Sequence, residues 1–342
     1  MRKQRCAAVL LAAVVLLLAV GGCGRKPESG RRVVIGVGGR TLPVYLPLVL
    51  AQRLGYFGEA GVWVDIQGLQ GGSKALQALE GGSVDVVAGY YDHTIQMQAK
   101  RRALTSFVTM LNRPELVLAV SPAARKPIHS IADLAGANVG VSAPGSSTDF
   151  FLKYVLSKHG LAADAVSVQA IGTAATAVAA MAHGRVDAAV LVDPAFSLLQ
   201  RRAGADKVEV LLDARSSEGV EQTFGVSKYP ASVLYSSSRW LDGNRTTATA
   251  LAEAIVRTLR WIQGHSAEEI AARMPAEFAQ DDRATYVETI AKMKDGFSTD
   301  GTISVDGAEA VRKVLAQSDR TVAAAEIDLS QTYSNDYLPS HG

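Results

Sequence analysis

The chain has 342 residues, with 35 lysines and arginines against 33 aspartates and glutamates, and only two cysteines. Without residues 1–22, which carry three basic residues and no acidic one, 32 basic face 33 acidic side chains, so no charge excess favours nucleic acid or another polyanion. Cys6 and Cys23 lie near the start, which leaves the rest of the body without a disulfide, a thiol nucleophile or a thiolate metal site. Its stability rests on apolar burial, and about 310 residues suffice for two cores.

In chain order, the sequence opens on an export signal. Arg2, Lys3 and Arg5 precede an apolar run from Cys6 to Val20, and small residues lead to Cys23. A basic start, a short apolar core and a small-residue cut site describe a signal peptide over 1–22, and the run is shorter than the ~20 residues a membrane-spanning helix needs. Val20-Gly21-Gly22-Cys23 resembles the lipobox of bacterial lipoproteins, which makes Cys23 the lipidated first residue after cleavage. Gly21 is less usual there, so ordinary cleavage nearby is the alternative. Residues 23–32 read as anchor and polar tether.

Strands are predicted over 33–39 and 62–67, with a helix over 45–54 between them. Gly71-Gly72-Ser73 opens the next helix, which Ser73 is suited to cap. A strand over 84–89, a helix over 93–100 and strands near 105–111 and 115–121 follow. Then come strand 138–143, helix 147–158, strand 166–170, a further helix, strand 187–191, helix 194–202 and strand 208–212. Residues 213–228 read as polar and irregular, and 229–237 as a strand. The C-terminal third is helical. Ala248, Leu251, Ile255, Val256, Leu259 and Ile262 share one face, with Glu253 and Arg257 as an i,i+4 pair outside. Residues 281–294 and 305–315 repeat that theme, and from Gln317 onward the chain wraps or frays.

One unit occurs twice, 102 residues apart: ALQALEGGSVDVVAG at 75–89 and AVAAMAHGRVDAAVL at 177–191. In each, a helical run stops at a glycine (Gly82, Gly184), and x-Val-Asp leads into a short apolar strand, as expected of a buried parallel strand. Both strands end in a loop with an aspartate before another helix, Asp92 and Asp193. Gly-x-Val-Asp is also a common helix-to-strand junction, so coincidence is the bland alternative. Two α/β lobes are the sharper reading. Ligands of open α/β sheets sit beyond the carboxyl ends of the strands, which puts a solute between facing lobes. The expected division is 33–117 for the first part of lobe I, 118–228 for lobe II, and 229–342 for the return to lobe I, with crossings near 115–121 and 225–235.

Five segments in order carry a family resemblance: 45–66 (YLPLVLAQRLGYFGEAGVWVDI), 71–79, 83–99 (SVDVVAGYYDHTIQMQA), 131–156 (IADLAGANVGVSAPGSSTDFFLKYVL) and 229–237 (YPASVLYSS). Over about residues 33–240 the chain resembles the solute-binding proteins of nitrate/sulfonate/taurine-type ABC importers, whose other branch binds thiamine-pyrimidine precursors. The resemblance implies a type II-like, two-lobed periplasmic-binding-protein fold with two hinge crossings. It also implies delivery of a small-molecule solute to a membrane permease driven by a cytoplasmic ATPase, from an extracytoplasmic, lipid-anchored monomer.

Within that frame the candidate ligand-binding residues are Arg40, Tyr45, Gly72, Ser73, Tyr91, Asp92, His93, Ser146, Ser147, Thr148, Asp149, Thr173, Asp193 and Tyr229. Pro144 to Asp149 opens a helix whose free N–H groups and hydroxyls suit an anion. In sulfonate-type relatives this loop resembles the oxyanion cradle. Asp149 competes with an anion there, or turns back on the loop in a capping box with Ser146. Asp193 before Pro194 is first of all a helix start. Tyr90-Tyr91-Asp92-His93 can stack on a flat ring and hydrogen-bond its nitrogens, the alternative being a cap beside core tyrosines. Arg40, Lys74 and Arg113 are the basic candidates, Arg40 the best placed. Tyr45, Tyr229 and Phe224 supply aromatic walls or core.

The expected solute is a planar or zwitterionic nitrogen compound, with a sulfonate, taurine or nitrate as the alternative. No metal site, cofactor or nucleic-acid partner is expected. A pyrimidine-synthase-like enzyme and a sensor lobe are the competing classes. The enzymes carry a cysteine-rich motif that this body lacks, whereas transport and sensing are not separable from the sequence.

Overall fold

The computed structural model describes residues 31–279 and 282–340; the expected signal peptide, Cys23 and most of the expected tether lie outside the described residues. The strands are β1 (Arg31–Val37), β2 (Val62–Gly68), β3 (Val86–Tyr90), β4 (Leu104–Thr109), β5 (Val117–Val120), β6 (Asn138–Val141), β7 (Ser167–Ala170), β8 (Ala188–Leu191), β9 (Val210–Asp213) and β10 (Ser232–Ser237). The first α-helices are α1 (Leu46–Arg53), α2 (Tyr56–Glu59), α3 (Gly72–Glu80), α4 (Asp92–Ala99), α5 (Ser147–Lys158), α6 (Ala175–Ala182) and α7 (Ala195–Ala203). They are followed by α8 (Ser217–Phe224), α9 (Ser238–Gly243), α10 (Arg245–Gly264), α11 (Ala267–Arg273), α12 (Arg283–Met293), α13 (Val305–Ser318) and α14 (Arg320–Ala324).

Two five-stranded sheets result, in the orders β2-β1-β3-β10-β4 and β7-β6-β8-β5-β9. Each has a parallel core, β1 with β3 in one and β6 with β7 and β8 in the other. Into each comes one antiparallel strand, β10 between β3 and β4, and β5 between β8 and β9. The two orders therefore match position for position. The chain leaves the first sheet between β4 and β5 and returns between β9 and β10, the two crossings expected of a two-lobed α/β fold.

The repeated unit is the reason for the match. Gly82 and Gly184 end their helices at φ 72° and 61°, a left-handed turn that glycine makes without a Cβ penalty. Asp85 then gives its N–H to the Val34 carbonyl and accepts the Val34 N–H at 2.8 Å. Asp187 does the same with Asn138, at 2.8 Å for both bonds. The motif aspartate thus pins the start of the central strand beside it. β3 and β8 that follow are buried along their whole length, as strands covered on both faces must be.

The C-terminal third contributes core and connection. α10 buries all six predicted apolar positions against the first sheet, each large side chain contributing ~1.5–3 kcal/mol. Arg257 departs from its predicted i,i+4 partner Glu253: it pairs with Glu59 and lies over the Tyr56 ring at 3.8 Å. Residues 213–228 are not irregular throughout, since α8 lies within them. Ser216 caps it by accepting the Gly219 N–H at 3.0 Å, and Val220 and Thr223 supply its buried side. Beyond Gln317 the chain wraps. The backbone of Ser106 in β4 bonds Thr332 and Ser334, and Tyr337 packs on Phe107. α13 rests on both α4 and α5, so one apolar cluster joins the two sheets. No helix among the described residues is long and apolar enough to cross a membrane.

Candidate ligand cleft

The ends of β1, β3, β6 and β8 converge where the two sheets face each other. A cleft there is lined by residues from both sides, including Gly38, Tyr45, Gly72 and Tyr90 from the first and Ser142, Ser146, Ser147, Thr148 and Thr173 from the second. It is nearly shut, with about 30 Å³ of free space, room for a water or two. The sides nearly touch at several points. A Cβ built on Gly39 would stand 2.9 Å from Thr173 Oγ1, and one on Gly72 would stand 3.8 Å from the Ser146 Cβ.

Asp92 occupies the centre of this seam. It is the first residue of α4 and its carboxylate does not cap the helix. Instead Ser147 Oγ, on α5, donates to Asp92 Oδ1 at 2.8 Å, a bond that joins the two sides. Asp92 is 5% exposed. Burial raises it to about 7, against the opposing hydrogen bond from Ser147. Around it stand phenols: Tyr45, Tyr90, Tyr229 and Tyr235 are buried, their ionisation pushed up first by burial and, more weakly, by the Asp92 charge.

His93 turns inward. Its Nδ1 is 3.0 Å from the Tyr235 hydroxyl, while Nε2 is buried without a hydrogen-bond partner among the described residues. Burial lowers it to about 4, which keeps the ring neutral at pH 7. Ser73 is buried at the start of α3, and Lys74 and Arg40 are exposed.

The predicted anion loop forms at the start of α5. Ser142, Ser146 and Thr148 make a triangle of hydroxyls at 2.9, 3.0 and 2.7 Å. Asp149 turns back on the loop: Oδ2 accepts the Gly145 N–H at 2.7 Å and the Lys153 ammonium at 2.8 Å. The Ser146 side chain does not complete a reciprocal box, since it faces Ser142 and Thr148.

Six expected site residues line neither the cleft nor the adjoining space around Asp92: Ser73, His93 and Asp149, described above, and Tyr91, Asp193 and Arg40. Tyr91 is in the core, its hydroxyl 2.6 Å from Thr332 Oγ1; Tyr90, one residue earlier, lines the cleft and donates to the Pro114 carbonyl at 2.6 Å. Asp193 caps α7, accepting from the Ser197 N–H at 2.9 Å and hydroxyl at 2.8 Å, and pairs with Arg215 at 3.1 Å. Arg40 stands exposed at the end of β1, outside the lining. Arg113 is likewise structural: it holds Glu115, Asp295 and the Lys292 carbonyl beside the first crossing. Ser142, Leu42, Val44 and Val192 complete the lining and were not singled out in the sequence. Ser142 was the findable one, as the hydroxyl directly after the strand that precedes the loop.

Residues 42–269 match the family model described as NMT1/THI5 like. The chain belongs to the NMT1/THI5-like family. A solved structure from Bordetella bronchiseptica RB50 is 39% identical, with a TM-score of 0.83 over 90% of this chain and 95% of that one. The alkanesulfonate-binding protein SsuA of Xanthomonas axonopodis pv. citri, bound to MOPS, has the same fold at 18% identity and a TM-score of 0.69, over 89% of this chain and 98% of that one. YtlA of Bacillus subtilis (strain 168) is 23% identical over 287 residues, 82% of this chain and 80% of that protein. The fold is the periplasmic-binding-protein fold. The desulfurization enzyme DSZB shares it too, at 16% identity and a TM-score of 0.57 over 90% of this chain and 97% of that one, so fold alone does not separate binding from catalysis.

Proposed function

We propose that this protein is the extracytoplasmic solute-binding component of an ABC importer, held to the membrane by a lipid on Cys23. Lobe I comprises residues 33–117 and 229–342, and lobe II residues 118–228. They close on a small solute and present it to a permease driven by a cytoplasmic ATPase. The observation that carries this reading is the Asp92–Ser147 bond across the seam, because it lets one solute be held by strand-end groups of both sides. Only such two-sided contact gives a ligand different affinity for open and closed states. A binding role rather than catalysis is supported by the site chemistry. The described residues of the lining offer hydroxyls, phenols and one carboxylate, groups that hold a solute by hydrogen bonds and ring contact.

The solute is a flat, nitrogen-bearing compound that gives N–H groups to Asp92 between aromatic walls. A charge-assisted bond of this kind contributes ~1.5–3 kcal/mol. A second reading, a sulfonate or other oxyanion on the hydroxyl triangle at the start of α5, is favoured by that triangle and by the two helix-loop carboxylates being engaged elsewhere. Mass spectrometry of the small molecule that co-purifies with the protein, followed by X-ray scattering with that molecule added back, tests the role. A smaller radius of gyration on binding is expected; binding with an unchanged radius would reject closure.

A further inference from the structure

Tyr90 and Ser147 form a wall shared by two cavities. On one side lies the cleft with its hydroxyl triangle. On the other is a chamber lined by Asp92, Phe150, Phe151, Phe224, Tyr229 and Leu315, which here is closed down to about 10 Å³, the room of about one water, so a ring enters only once the two sides part. Its walls come from both sheets: Asp92 follows β3, whereas Ser147 and Phe150 begin the helix after β6. Movement between the two sides therefore changes its size.

The chamber's chemistry is one-sided. Asp92 is its single carboxylate, and no lysine, arginine or histidine is among the described residues that line it. The nearest imidazole, His93, is turned to Tyr235. A buried carboxylate without a cation has lost its hydration for one hydroxyl and the His93 backbone N–H in return. The surrounding rings add to the imbalance. Phe224 and Tyr229 stack at 4.5 Å, and aromatic faces attract cations and repel anions.

Resting on the solute-binding reading above, we infer that this chamber takes the positively charged end of the solute, a flat amidinium- or ammonium-bearing ring. The N–H groups meet Asp92, the ring lies against Phe224 and Tyr229, and Ser147 turns aside from the carboxylate it holds in the closed chain. The hydroxyl triangle is left for whatever polar group the other end carries.

Calorimetry on the full-length chain in detergent, with benzamidine, its neutral isostere benzamide and benzenesulfonate, tests the charge directly. Benzamidine should bind at least about tenfold more tightly than benzamide, the equivalent of one charge-assisted bond. Asp92→Asn should bring that ratio near one, and Ser147→Ala should leave the preference in place. The unaltered protein decides the question even where a variant fails to fold. Equal binding of benzamidine and benzamide, tightest binding of benzenesulfonate, or no benzamidine binding at millimolar concentration would each overturn the inference. None of these results touches the solute-binding reading, which falls separately if the co-purifying molecule produces no closure.

Discussion

At the scale of single residues, burial of Asp92 and His93 makes the cleft respond to pH in opposite directions. Asp92 faces Ser147 and the phenols of Tyr45, Tyr90, Tyr229 and Tyr235, and it keeps its proton to about 7. In an unfolded chain it loses that proton near ~4. Its contribution to stability is therefore complete below about 4 and is lost as pH rises through 7. Glu115, raised to about 8 by burial against the pull of Arg113, slopes the same way. His93, lowered to about 4, slopes the other way: stability falls as pH drops from the ordinary histidine range toward 4. The thermal midpoint of the unliganded chain should fall between about pH 5.5 and pH 8, and Asp92→Asn should flatten that fall while leaving the acid limb intact. An alkaline slope unchanged by the substitution would place its origin in Glu115 alone.

At the scale of elements, the duplicated aspartates explain why two different segments build the same half-sheet. Asp187 accepts the N–H of Asn138 and pairs with Arg125, and these bonds, the guanidinium first, hold it down at about 2. Arg125 is largely exposed, so its pairing with Asp187 counts for little in water. The strand-start N–H bond is the larger contribution. Asp187→Ala should cost about 1–3 kcal/mol by urea unfolding, whereas Arg125→Ala should cost under about 1 kcal/mol; equal losses would assign the motif to the ion pair. α8 makes a second case, where Ser216→Ala should cost about 1 kcal/mol through its cap.

These elements also mark how far sequence carries. The repeat, both crossings and the buried face of α10 were legible because each rests on periodicity or on a glycine stop. α8 was not, because SSEGVEQTF has too few apolar positions to show a period and depends on a cap. In the cleft, Asp92, Ser147 and the hydroxyl loop were legible as strand-end groups. The choice of Tyr90 over Tyr91 was not: neighbours at a strand end point to opposite faces, and only the register of β3 against β10 decides which one meets the cleft.

For the whole molecule, the seam and the packing of α13 on both sides bear on the proposed closure. Opening of the lobes as proposed would separate Gly72 from Ser146 and shift α13 against α4 or α5, since the helix packs on both. A covalent clamp at the seam isolates that motion. The Cβ separation of 3.8 Å predicted for Gly72→Cys with Ser146→Cys lies within the ~3.5–4.5 Å that a disulfide needs. The new side chain at position 72 also meets the His93 ring at 3.1 Å, which asks that ring to give by a few tenths of an ångström. No cysteine competes nearby, because Cys6 and Cys23 are the only two in the chain. Oxidation should therefore join residues 72 and 146 within one chain, visible as a linked peptide pair by mass spectrometry. The oxidised protein should keep the compact radius of gyration and neither take up nor release the co-purifying solute, and reduction should restore both exchange and the larger unliganded radius. Free exchange of solute through the intact crosslink would mean that the ligand does not enter between these two sides, and the cleft would lose its role.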